Sequence, residues 1–239
     1  MELLVPIVLG LSLIGSAVTA IPTLVVEWAR HDTPEVVFYA ETSQPVVALT
    51  IDDGPSEATS EILEVLDEYG VRATFFLIGE HLRAHLDLAR RLVRDGHELG
   101  NHMMVDEPSI DLSPEAFHSQ LLQMDRLLEG FGGSHWFRPG SGWYDDRMVE
   151  EAGRLGYTTV LGSVYPFDAQ VSAPWLSSWY VSNLASPGAI IVLHDGAERG
   201  PRTADALRSI LPDLLSRGYR VVPLGELLGE RGRGNTSPP

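Results

Sequence analysis

Residues 46–55 read VVALTIDDGP, an apolar run that ends in two adjacent carboxylates, Asp52 and Asp53, before Gly54 and Pro55 force a turn. A run that is apolar throughout, rather than alternating, is the pattern of a strand buried on both faces, as in a parallel sheet covered by helices. Successive side chains on a strand point to opposite faces. Asp52 and Asp53 therefore need a bend to serve one cavity, and the turn directly after them is expected to supply it.

Outward from this stretch the same unit recurs. Residues 57–69 place Ile62, Leu63, Val65 and Leu66 on one helical stripe that Gly70 closes. Residues 73–78, aromatic and β-branched, predict a strand. A helix over 82–94 and a short run through Leu99 lead to Asn101 and His102. Ser113, Pro114 and Glu115 open a helix to about residue 128, with an N-cap hydroxyl, a proline in the first turn and an early acid. Phe137, Arg138 and Pro139 follow a Gly-rich turn. A helix over 146–155, strands over 158–161 and 189–193, a helix over 203–217 and a strand over 219–222 complete the pattern. Strand–helix alternation predicts an α/β fold, satisfied equally by a barrel or a doubly wound sheet.

The chain has 239 residues, enough for one sizeable domain, and its formal net charge is −16. All 17 basic residues are arginine. An acidic chain without clustered cations is a poor partner for nucleic acid. With no cysteine, disulfides and thiolate metal sites are excluded. Residues 3–26 form an apolar run that suits a membrane span of about 20 residues, with Trp28 and Arg30 as interface anchors. A cleavable signal ending near Val18-Thr19-Ala20, and a buried helix followed by a strand, which Pro22 allows, compete with that reading. The first two place the remainder outside the cytoplasm, membrane-anchored or secreted. The expected organisation is an anchor or signal over 1–30, a catalytic domain over 45–228 and a disordered polar tail over 231–239.

Polar residues sit where the strands end: Asp52 and Asp53 after one, His102 after another, Arg138 after a third, His194 and Asp195 after AIIVL. In parallel α/β folds the carboxyl ends of strands share one rim, where active sites collect. Asp53, His102 and Asp106 could supply three oxygen and imidazole ligands to a divalent ion, since His102 and Asp106 are four residues apart and face one side if that segment is helical. Each residue also has a plainer reading, Asp-Gly turns above all, and the clustering at strand ends is what favours a site. His31, His81, His85, His97, His118 and His135 lack such partners and are read as structural.

TIDDGP, GHELGNH (residues 96–102), FRPGSGW (137–143) and IIVLHDG (190–196), in this order and spacing, resemble the motifs of the polysaccharide deacetylases, carbohydrate esterase family four, with a NodB-like homology domain. The likeness spans about residues 45–228. It implies a distorted (β/α) TIM-like barrel of seven or eight parallel strands, and a hydrolase that removes acetyl groups from N-acetylglucosamine polymers such as chitin or peptidoglycan, or from acetylated xylan. It also implies a divalent metal, zinc foremost, with cobalt or manganese as alternatives. By resemblance Asp52 is the catalytic base, Arg138 holds it, His194 is the catalytic acid and Asp168 orients it. Asp53, His102 and Asp106 are the metal ligands, with Asp106 where the family has a second histidine. Tyr165 and Ala169 replace an acid and a tryptophan around Asp168. Ser141, Trp143, Tyr144 and Leu193 are the expected substrate contacts, with core packing an equal reading for Trp143 and Tyr144.

A phosphatase with an aspartate nucleophile is a rival enzyme class, but it needs two acids one residue apart, and Thr50 stands two residues before Asp52 instead. A carbohydrate-binding pseudoenzyme is the third reading, motivated by the missing histidine and the altered surroundings of Asp168.

Overall fold

The run 46–54 forms strand β1 (Val46–Gly54), buried along nearly its whole length in a computed structural model that describes residues 24–229. The chain divides after Pro34 into two compact units. Of the first, the described part is a helix over residues 24–32, α1. Most of the apolar run at 3–26, and the tail at 231–239, lie outside the described residues. Among those that are described, no helix is long and apolar enough to cross a membrane.

In the second unit β1 is the central strand. It pairs in parallel with β2 (Thr74–Leu77), with β6 (Ile190–His194) and, at its start, with β7 (Arg220–Val222). Beyond β2 follow β3 (Glu98–Asn101), β4 (Trp136–Phe137) and β5 (Thr158–Thr159), so the order is β5-β4-β3-β2-β1-β6 and every pair is parallel. The two ends of the sheet meet through the segment after β5. Val160 N–H bonds the Phe137 carbonyl at 2.8 Å, and Val164 bridges Ile191 of β6. Seven strands thus curl into an incomplete barrel, whose seam is spanned by the Val164–Ile191 bridge and by the segment at Val37 and Tyr39, which bridge Val160 and Ala189.

The alternation along β1 assigns its two faces. Val47, Leu49 and Ile51 point outward into the large cluster shared with the helices, whereas Ala48 points inward to meet Phe76, Trp136, Val160 and Ile190. Both faces being apolar is why the sequence shows no polar alternation. The outer layer consists of α2 (Thr59–Glu68), α3 (Gly79–Ala84), α4 (Leu86–Arg94), α5 (Pro114–Glu129), α6 (Asp146–Arg154), α7 (Pro174–Leu184), α8 (Gly200–Ser216) and the short α9 (Leu224–Leu227). Ser113 caps α5 as its position predicts, its hydroxyl accepting from Ala116 N–H at 3.2 Å.

Two expectations need correction, and one helix went unread. The helix expected over 82–94 begins at Gly79 and breaks at His85, whose ψ of 48° interrupts the helical path and gives two helices. The segment 102–106 is not helical: Met103 takes a left-handed φ of 70°. The four-residue spacing of His102 and Asp106 therefore does not put them on one helical face. Finally, α7, Pro174–Leu184, was hidden in the sequence, because its apolar residues surround the helix and show no stripe.

Candidate active site

The bend that the two adjacent carboxylates require is a β-bulge. Asp52 pairs with Phe76 and Gly54 with Leu77, leaving Asp53 as the extra residue, with φ at 69°. The bulge turns both carboxylates into one cleft of about 430 Å³ at the carboxyl ends of the strands, a size suited to a sugar unit. Gly54 is required here by close approach as well as by the turn: a Cβ would lie 2.8 Å from Asp195 Oδ2.

Asp52 is held by Arg138, which follows β4. Nη1 of Arg138 donates to Asp52 Oδ1 at 2.6 Å and to Thr50 Oγ1 at 2.8 Å, Nε to the Val160 carbonyl at 3.0 Å, and Nη2 to the Leu161 carbonyl at 2.6 Å. The guanidinium also lies 4.1 Å from the centre of the Phe76 ring. Both partners are almost wholly buried, Asp52 at 3% and Arg138 at 2% exposure. A buried pair of this kind is stable only when the remaining donors are satisfied, and here they are used on the seam that closes the barrel.

Asp53 faces His102, whose Nε2 lies 3.3 Å from Asp53 Oδ1. His102 Nδ1 is 2.7 Å from the Arg138 carbonyl, which can only accept, so Nδ1 carries the proton and Nε2 is turned to the cleft. Asn101 fixes the turn behind it by accepting from Met103 N–H at 3.0 Å. His81, read from sequence as structural, donates from Nδ1 to the Asp53 carbonyl at 2.7 Å and steadies the bulge. Burial alone would raise the Asp53 carboxyl. The His102 hydrogen bond and the charges of His102, His194 and Arg199 outweigh burial and hold it at about 2.

The third expected metal ligand is placed differently. Asp106 lines the same cleft, but its side chain is 54% exposed and its Oδ2 lies 3.7 Å from Arg199 Nη2, while Nη1 of Arg199 pairs with Asp53 Oδ2. Among the described residues no three histidine or acidic side chains converge on a point where an ion could sit. Two donors, Asp53 and His102, fit a divalent metal; the set of three does not, because an arginine stands between Asp53 and Asp106. Sequence reasoning missed Arg199, which lies on the turn after Asp195 outside any strand end.

Across the cleft, Asp168 holds His194 twice. Its Oδ1 accepts from His194 Nδ1 at 2.9 Å and its Oδ2 from the His194 backbone N–H at 2.8 Å. The second imidazole nitrogen is left to the cleft, and Tyr165 packs edge-on against the ring at 5.5 Å. Burial would lower His194, yet the Asp168 hydrogen bond and charge, with those of Asp52 and Asp53, raise it above the ordinary imidazole value. The neighbouring Asp195 is structural. Fully buried, it accepts from Ser56 Oγ at 2.7 Å, Thr59 Oγ1 at 2.5 Å and Gly196 N–H at 2.6 Å, tying the start of α2 to the turn before α8.

The expected substrate contacts divide. Ser141 and Trp143 line the cleft, and Trp143 is 71% exposed, free to stack on a sugar. Tyr144 does not line it; it packs against the cluster of Met103, Phe117, Phe137 and Met148. Leu193 is fully buried in the outer core. Strand alternation explains this: Val192 and His194 share the cleft-facing side of β6, so Val192 forms that wall. The four non-glycine residues with left-handed backbone among the described residues, Asp53, Met103, Ser141 and Phe167, all belong to or adjoin these site segments, as expected where geometry is imposed by function.

A parallel α/β barrel that brings a carboxylate–guanidinium pair and a histidine–carboxylate pair to one cleft has groups able to accept and give protons there. Comparison with known proteins narrows the class. The family model described as polysaccharide deacetylase matches residues 39–160. A peptidoglycan-N-acetylglucosamine deacetylase of Bacillus cereus is 33% identical over 200 residues, covering 82% of this chain and 94% of that protein. A chitooligosaccharide deacetylase of Bradyrhizobium sp. is 33% identical, covering 76% and 90%. Among solved structures, a CE4 family pseudoenzyme from Bacillus anthracis superposes with a TM-score of 0.76 at 29% identity, covering 83% of this chain and 70% of that one. The chain belongs to the polysaccharide deacetylase family.

Proposed function

We propose that this protein removes acetyl groups from an N-acetylglucosamine-containing glycan, chitin-like or peptidoglycan-like. The observation that carries the proposal is the placing of Asp52, held by Arg138, and His194, held by Asp168, in one cleft. Deacetylation of an amide needs a base for the attacking water and an acid for the leaving amine. Asp52 takes a proton as the water oxygen bonds to the acetyl carbon. His194, protonated, gives its proton to the amide nitrogen as the carbon–nitrogen bond breaks, and acetate and a free amine result. Trp143 and Ser141 would flank the sugar. By family resemblance a divalent ion, zinc foremost and cobalt or manganese otherwise, would be held by Asp53, His102 and Asp106. The present side-chain arrangement does not form that set, and no step here passes through it. We also place the catalytic unit outside the cytoplasm, membrane-anchored or secreted, on the apolar run at 3–26.

The test is acetate release by the purified protein from N-acetylated chitooligosaccharides and peptidoglycan, with acetylated xylan separating amide from ester preference. Release from the N-acetylated glycans is expected. No acetate from any of them, with glycan binding retained, would replace this reading by the second one, a glycan-binding pseudoenzyme. The incomplete ligand set and the pseudoenzyme among its structural neighbours favour that alternative.

The raised His194 gives a pH prediction. An acid must be protonated to act, so a raised value carries activity to higher pH, and the rate falls as pH climbs through it. Asp168→Asn removes the charge that raises His194, and should move the alkaline limb of the kcat/KM profile to lower pH. An unmoved limb would mean that another group sets it.

A further inference from the structure

We propose that Arg199 is a resident cation standing in the place of a divalent ion, so that the cleft takes up a metal only when this guanidinium swings out. One guanidinium spans two carboxylates: Nη1 on Asp53 Oδ2 and Nη2 3.7 Å from Asp106 Oδ2. The other oxygen of Asp53 faces His102 Nε2. Asp53 is thus engaged on both sides, and Asp106 is drawn toward the arginine rather than toward His102.

The remaining charges of the cleft are already matched. Asp52 is paired with Arg138, and Asp168 with His194. Asp53 and Asp106 are left as two negative charges with Arg199 between them, while His102 lies on the other oxygen of Asp53. A divalent ion bound to Asp53 with the guanidinium still in place would set like charges within a few ångströms in a partly buried site, where they are poorly screened.

The arginine is built to leave. It lies on the turn just before α8, and its side chain is 30% exposed, whereas Asp53 is nearly buried. His102 is built to stay, since its Nδ1 proton is fixed on the Arg138 carbonyl and its Nε2 already points at Asp53. With Arg199 turned to solvent, Asp53 and His102 are presented as a ready pair of donors, and Asp106, exposed on its own loop, can turn in to join them.

The test is zinc titration of chelator-stripped protein against a chromophoric competitor, a readout that needs no turnover and stands apart from the deacetylase reading. Metal binding in the wild type must break a hydrogen bond between charged groups, a cost that corresponds to about 10- to 100-fold in affinity. Arg199→Ala and Arg199→Gln should both bind zinc tighter than wild type by about that factor. Adding Asp53→Asn to either should erase the gain. Equal or weaker zinc binding in the variants, or a gain that survives Asp53→Asn, overturns the proposal. Arg199→Gln retains side-chain length and carries the test if the alanine variant misfolds.

Discussion

Asp52→Asn should cut acetate release from N-acetylated chitooligosaccharide by about 10²- to 10⁴-fold, the range for loss of a positioned general base. Asparagine has nearly the same shape and still offers Arg138 Nη1 an oxygen where Asp52 now accepts at 2.6 Å, so the fold should be kept. Its amide cannot take a proton from water. The loss should fall on kcat, with KM changed little, because Asp52 faces the attacking water from the buried floor of the cleft, while the sugar would be met by Trp143 and Ser141. Full activity in this variant would transfer the base's role to another residue and remove the role proposed for Asp52.

The largest effect on stability is expected at Arg138. Arg138→Met leaves Asp52 buried with its charge unpaired, and it strips donors from the Val160 and Leu161 carbonyls at the barrel seam. Removing one partner of a buried ion pair costs about 3–5 kcal/mol, which for a domain of this size lowers the melting temperature by roughly 10 °C. Arg138→Lys should recover little, because a point charge on a flexible stem cannot serve four acceptors lying in the plane of a guanidinium. A double variant, Arg138→Met with Asp52→Leu, should be more stable than Arg138→Met alone, since it removes the orphaned charge. Thermal melts of the three proteins check this order, and a single variant melting with wild type would mean that the pair is solvated.

The strands were legible because burial on both faces leaves a mark in composition, and the meeting of Asp52 and His194 in one cleft was legible because they sit at strand ends, where chain direction fixes position. Asp52, Arg138, Asp168 and His194 needed only that rule and the motif resemblance. Asp106 was misjudged because its expected position assumed a helix, and the left-handed turn at Met103 replaced it. Leu193 was misjudged by one residue: alternation on β6 gives the cleft to Val192. Arg199 and His81 carried no readable signal, for each acts through a turn or helix whose approach to the site is set by tertiary packing. The alternation of β1 in two-residue steps shows Asp52 facing inward, but only the bulge brings Asp53 beside it, and a bulge has no fixed sequence signature beyond its turn.

Among the described residues, backbone tension gathers around the cleft in four separate segments, at the β1 bulge at Asp53 and at Met103, Ser141 and Phe167. Each such geometry costs on the order of 1 kcal/mol in a residue other than glycine. Anyone hardening this protein against heat would find glycine or asparagine attractive at those positions first, and each would relax the loop that aims a working side chain. The margin for thermal improvement therefore lies in the helical shell and the far ends of the strands, while the rim is spent on function.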